Sequence, residues 1–119
     1  MENLLFSKSH EWVKIDGNKA KVGLSDYAQH ELGDIVYVNL PEVGAKVEIE
    51  TAFTDVESVK AVSEVISPVS GTITAVNDEL EGAPEMINNA PYDAWIIEVE
   101  LTGKGELMTE EQYKEFCKQ

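Results

Sequence analysis

The chain has 119 residues, 43% of them hydrophobic, which suits one small core and one domain spanning residues 1–119. Twenty-three acids face nine lysines, with no arginine, for a formal net charge of −14. That balance excludes a nucleic-acid partner, which wants a basic face and guanidinium forks, and an anionic membrane surface, which would repel the chain. The acidity serves solubility or draws basic partner surfaces. No apolar run reaches the roughly 20 residues of a membrane span. The opening Met1 to His10 shows neither an export signal nor an Arg-rich presequence, so a cytoplasmic protein is expected. A single cysteine, Cys117, rules out an internal disulfide.

Short strands dominate the chain. Trp12 to Asp16 and Lys19 to Leu24 alternate on either side of Asp16-Gly17-Asn18, which predicts a hairpin. Ser25 to Gly33 starts on a capping residue and ends on glycine, which predicts a short helix. Ile35 to Leu40 is a β-branched and aromatic run stopped by Pro41, and Val47 and Ile49 alternate with charged residues. Ala52 to Glu57 and Ala61 to Ile66 read as two strands around a polar turn. Thr72 to Val76 and Trp95 to Leu101 complete the strands. Thr109-Glu110-Glu111-Gln112 is a capping box, so a C-terminal helix is expected over about 109–117. Its stripe of Tyr113, Phe116 and Cys117 would pack on the body, with Cys117 a structural thiol.

Pro41-Glu42-Val43-Gly44 and Pro68-Val69-Ser70-Gly71 echo each other, each ahead of an alternating strand. Two similar halves would pair as hairpin-bearing sheets. The expected fold is therefore mainly β: a flattened barrel or sandwich, with one short helix in the N-terminal half and one at the C-terminus.

The stretch that bears chemistry is Asp55-Val56-Glu57-Ser58-Val59-Lys60-Ala61. Strand-like runs of similar length flank it, so Lys60 should stand at or beside a hairpin tip, in a hairpin over about 52–67. Ser58 and Ala61 are small neighbours that leave room around the amine, as an enzyme that acylates one lysine among nine would need.

Glu57-Ser58-Val59-Lys60-Ala61, followed by Ser67-Pro68-Val69-Ser70-Gly71, resembles the lipoyl-attachment region of glycine cleavage H proteins. The resemblance runs from about Ser7 to Phe116. Ser9-His10-Glu11-Trp12-Val13 is similar to that family's opening motif. Tyr27-Ala28-Gln29, Leu32-Gly33-Asp34-Ile35-Val36 and Leu40-Pro41-Glu42-Val43-Gly44 follow in the family's order. Val76-Asn77, Leu80, Pro84-Glu85, Asn88, Pro91-Tyr92 and Trp95 continue it. Biotin carriers set their lysine between methionines, where Val59 and Ala61 stand here. Lipoyl domains of 2-oxoacid dehydrogenases usually read Asp-Lys-Ala and lack both ends of this chain. Two departures stand out: Glu50-Thr51-Ala52 replaces a stretch that often holds glycine, and the link between Pro91-Tyr92 and Trp95 is shortened to Asp93-Ala94.

The resemblance implies a fold of the lipoyl/biotinyl-domain type and lipoate bound covalently to Lys60, with Glu57, Ser58, Val59 and Ala61 as the recognition motif. It implies a carrier that passes the aminomethyl group of glycine between three enzymes. These are a pyridoxal-phosphate glycine decarboxylase, a tetrahydrofolate-dependent aminomethyltransferase and an FAD-containing dihydrolipoamide dehydrogenase. A lipoyl-attaching enzyme is a fourth partner, and a monomer is expected. Ser9, Glu11 and Glu64 are implied as residues of a cleft that shelters the arm. The chain itself has no Ser/His/Asp order, no Cys/His metal spacing and no phosphate-cradling loop, so no catalytic or metal residue is expected. His10 reads as a structural hydrogen-bonding residue and His30 as one on the exposed face of the first helix. Two other uses stay open: a lipoyl carrier serving as a relay or in another lipoate-dependent system, and an unmodified acidic interaction module.

Overall fold

The structure is a computed structural model that describes residues 4–118. Among these described residues, nine strands and four helices follow in the order β1 (Leu4–Phe6), β2 (Glu11–Asp16), β3 (Lys19–Leu24), α1 (Asp26–Leu32), β4 (Ile35–Val38), β5 (Lys46–Val47), β6 (Ala52–Ser58), β7 (Val62–Ile66), β8 (Val69–Val76), α2 (Glu79–Gly82), α3 (Met86–Asn89), β9 (Ile97–Lys104) and α4 (Glu110–Cys117).

Two antiparallel sheets result. One has six strands in the order β1-β2-β3-β9-β8-β5, the other three in the order β4-β6-β7. They form a sandwich with open edges, and among the described residues no barrel closes. Alternation along the strands supplies the filling: Val13, Val22, Ile73, Ile97 and Val99 from the larger sheet meet Ile35, Val38, Val56 and Val65 from the smaller one. A second cluster of Leu4, Phe6, Trp12 and Tyr113 seats α4 on the other side of the larger sheet.

Trp12 anchors the start of β2. Its register partner is Gly23, and a Cβ there would come within 2.6 Å of the indole, so only glycine lets the ring lie across β3. The indole Nε1–H then donates to the Pro91 carbonyl at 2.9 Å. This fixes the residue just before it, Glu11.

The hairpin β2–β3, the helix α1 with Ser25 as N-cap and Gly33 as C-cap, and the capping box of α4 lie where the sequence puts them. The two echoed motifs end side by side: Lys46 pairs with Thr72 and Val47 with Gly71. Several bounds differ. β8 begins at Val69, and β9 runs Ile97–Lys104 because the Ile96 N–H is drawn across to Val22 at 2.7 Å. Ile49 falls outside β5, whose ladder stops at Val47. β1, α2 and α3 are additions. Three or four residues are too few to show a period, and β1 is held by tertiary bonds between Phe6 and Met108, 2.8 and 2.7 Å, rather than by its own pattern.

Candidate functional site

The hairpin of β6 and β7 pairs Ala52 with Ile66 at its root and Glu57 with Val62 near its end, leaving Ser58 to Ala61 as the tip. Ser58 does more there than leave room. Its N–H donates to the Ala61 carbonyl at 2.8 Å, and its Oγ accepts from the N–H groups of Lys60 at 3.1 Å and Ala61 at 3.2 Å. A serine that satisfies the amides of a tight turn with its own hydroxyl is a compact local lock. Lys60 rides on it, exposed.

The tip is also held from outside. The Val59 N–H donates to the Asp34 carbonyl at 3.0 Å, joining the hairpin to the segment after α1. Gly33, at φ +80°, packs under the lysine: a Cβ there would lie 3.4 Å from Lys60 Cε. Around Lys60 the surface is unusually apolar, with Val36, Tyr37, Val59 and Val62 each 47–65% exposed. Register sets Tyr37 opposite Glu57 and Glu57 opposite Val62 across the three strands, so a carboxylate sits inside that patch. Sequence reasoning missed Val36, Tyr37 and Val62. The signal was there in β4, where consecutive apolar residues cannot both face the core.

Ser9 and Glu11 meet at the other end of β7. Glu11 is only 1% exposed. Its carboxylate accepts from Ser7 Oγ at 2.7 Å and Ser9 Oγ at 2.5 Å, and more weakly from the Ile66 N–H at 3.4 Å. Burial pushes its pKa from 4.5 up to about 7, against the pull of those hydrogen bonds. The turn that presents it is strained, because His10 takes φ 72°. Beside this cluster lies an open recess of about 220 Å³, with Ser7, Lys8, Ser9, Glu50, Ile66, Ser67 and Glu106 among its walls; Glu11 stands behind Ser7 and Ser9. Ser7 and Ser67 join the predicted pair; the sequence marked Ser67 only as part of the motif after the hairpin, and Ser7 did not stand out because serine is common in loops.

Glu64 is apart from this pair. It lies on β7 opposite Asp55, exposed. β7 is an edge of its sheet, and alternation puts Val62, Glu64 and Ile66 on one face. That row leads from the lysine tip to the recess. At about 3.3 Å per residue, Glu64 stands roughly 7 Å and Ile66 roughly 13 Å along the strand from Val62, where the tip ends.

His10 Nδ1 and Ser25 Oγ each lie 2.7 Å from the Tyr113 hydroxyl, and His10 stacks on Tyr27, which ties the opening loop, α1 and α4 together. Burial lowers the His10 pKa, opposed by Glu31. His30 is exposed and 3.7 Å from Asp26 one turn earlier. Cys117 is half-buried against the Phe6–Tyr113 cluster.

The sandwich presents an exposed lysine on a locked hairpin tip, with a recess near the far end of β7, an arrangement of the carrier-domain class. Residues 4–119 match the family described as Glycine cleavage H-protein. The glycine cleavage system H protein of Alkaliphilus oremlandii (strain OhILAs) is 53% identical over 117 residues, covering 96% of this chain and 92% of its own. That of Bacillus pumilus (strain SAFR-032) is 51% identical, covering 99% and 96%. The crystal structure of a glycine cleavage system H protein from Mycobacterium marinum superposes with a TM-score of 0.93 at 35% identity, covering 100% and 99%. The chain belongs to the glycine cleavage H-protein family. Its role as a lipoyl carrier of the glycine cleavage system follows from that membership.

Proposed function

We propose that Lys60 carries one lipoyl group as an amide, and that the chain acts as a single non-catalytic carrier domain. The observation that supports this most is the exposed Lys60 amine on a tip locked from within by Ser58 and from without by the Asp34 carbonyl. Such a lysine is open to solvent and keeps a fixed place relative to its strands, as selective acylation needs. The residues fit the group: the amine is accessible, and Ser58 and Ala61 add no bulk beside it. The bound dithiolane would supply the reactive disulfide, so the protein supplies presentation and tethering.

Under this reading Lys60 visits glycine decarboxylase, aminomethyltransferase and dihydrolipoamide dehydrogenase in turn, after a lipoyl-attaching enzyme has modified it. The protein works as a cytoplasmic monomer. The exposed Val36, Tyr37, Val59 and Val62 give those partners an apolar surface around the lysine. Between visits the arm folds back along the β7 edge. Glu64 is the first carboxylate on that path, and Ser9 with Glu11 lies at its end. An aminomethyl ammonium drawn out of water needs such a partner.

The test is intact mass of the protein treated with a lipoyl-attaching ligase and lipoate, followed by peptide mapping. One adduct per chain, on Lys60, is expected. An adduct on any of the other eight lysines would sink the assignment.

A further inference from the structure

Asn88 lies in α3, remote in sequence from the hairpin, yet it grips the segment on which the tip rests. Its Nδ2 donates to the Gly33 carbonyl and to Gln29 Oε1, both at 2.9 Å, and its Oδ1 accepts from the Ile35 N–H at 2.8 Å. Gln29 in turn is buried and donates to Asp26 at 2.8 Å. One side chain thus fixes the residues on both sides of Asp34. The Asp34 carbonyl is the group that receives the Val59 N–H, one residue before Lys60. Asn88 is half-buried, and its hydrogen bonds go to Gly33, Gln29 and Ile35, not to the lysine.

We propose that Asn88 is a positioning residue for modification of Lys60: by clamping Gly33 and Ile35 it aims the Asp34 carbonyl at Val59 and so fixes where the attachment tip is presented. The role rests on the reading of Lys60 as the attachment residue. Among the described residues no other side chain hydrogen-bonds to the backbone of residues 33–35, so the orientation of the Asp34 carbonyl leans on this amide. Without it the segment after α1 keeps the Gly33 cap bond to Gln29, 2.9 Å, and the β4–β6 ladder that pairs Ile35 with Ser58, but nothing else aims the Asp34 carbonyl, and the tip spends part of its time undocked. A ligase that accepts only the docked tip then meets a smaller competent fraction. Apparent affinity falls by that fraction while the bound complex reacts as before.

The experiment uses the full chain with a lipoyl-attaching ligase and lipoate, reading the modification rate by intact mass and the Val59 amide by hydrogen exchange. Three variants are compared with the wild type. Asn88→Ala removes the clamp. Asn88→Asp keeps the acceptor for Ile35 and loses both donors. Thr74→Val removes a side-chain bond to the Glu98 carbonyl, 3.2 Å, in the larger sheet. Asn88→Ala is expected to raise the ligase KM about tenfold with kcat unchanged, and to lose Val59 protection. Asn88→Asp should fall between it and the wild type, and it reads both quantities if the alanine variant does not fold. Thr74→Val should match the wild type in both. A wild-type KM in both Asn88 variants overturns the positioning role, whether or not Val59 stays protected, as does an equal KM rise in Thr74→Val. A wild type that takes no adduct at Lys60 overturns the attachment reading instead, and shows as an unshifted mass in every sample.

Discussion

The Ser9 hydroxyl lies 2.5 Å from a Glu11 carboxylate that is almost fully withdrawn from water. Burial wins over that bond and its companion from Ser7, and the Glu11 pKa rises from 4.5 to about 7. A carboxyl raised in this way binds more protons folded than unfolded between those two values. Its stabilising, protonated form is fully present below pH 4.5 and is lost as pH rises to about 7. Above that window the ionised, buried acid costs on the order of 3 kcal/mol. Glu11→Gln keeps the volume and stays neutral, so it should melt several degrees above the wild type at pH 8 and close to it at pH 4.5. Melting curves across that range check this. The general repulsion of a −14 chain affects both proteins alike, so only the difference between them reports Glu11. Parallel profiles for the two proteins would remove the case for a neutral Glu11.

Glu50 occupies the left-handed region at φ 63°, in the stretch where the family often places glycine. An L-residue pays roughly 1–2 kcal/mol to sit there, while glycine does not. Part of the gain is returned because glycine is freer in the unfolded chain. Glu50→Gly should therefore stabilise the fold by about 0.5–1 kcal/mol, measured as a higher urea midpoint at unchanged slope. Destabilisation by the same amount would mean that the exposed Glu50 side chain contributes something its backbone strain hides.

Lys60 separates fold from function. Its side chain is exposed and touches little beyond Gly33, so Lys60→Arg should change stability by less than about 0.5 kcal/mol, as surface substitutions do. Carrier activity in a reconstituted glycine cleavage assay should vanish, since a guanidinium does not form the lipoyl amide. Residual turnover by the arginine variant would be fatal to Lys60 as the attachment point.

The strands and the hairpin that bears Lys60 were legible because each rests on local chemistry. Alternation around Gly17-Asn18, the Ser25 cap and the Thr109 capping box need no tertiary partner to declare themselves. The lysine tip was legible for the same reason, as two matched runs around a short polar turn. What stayed hidden depends on contacts distant in sequence. Asp34 docks Val59 across 25 residues of chain, and Asn88 reaches Gly33 over 55. The buried state of Glu11 follows from Trp12 lying over Gly23 and from Ile66 closing in behind, and neither relation leaves a periodic trace. β1 is similar: its three residues become a strand through β2 and Met108.

The loaded arm gives the sharpest test of the recess. If Glu64 or Glu11 receives the aminomethyl ammonium, the pairing contributes about 1–3 kcal/mol, the range for hydrogen bonds to charged groups. Glu64 sits exposed on the β7 edge, where water weakens such a pair, whereas Glu11 is buried behind Ser9 and must ionise to serve. A cation brought to Glu11 favours the ionised form, so loading should release protons near pH 7 from the wild type and not from Glu11→Gln. The deeper site should also hold the load longer. Glu11→Gln is expected to speed loss of the aminomethyl group to water by roughly ten- to a hundredfold, each 1.4 kcal/mol being a factor of ten, and Glu64→Gln by less. Modification of Lys60 and reoxidation of the arm should stay near wild type, as neither involves the cation. The measurement is formaldehyde released from loaded carrier without the transferase. Should both single variants and the double variant decay at the wild-type rate, these carboxylates do not hold the load.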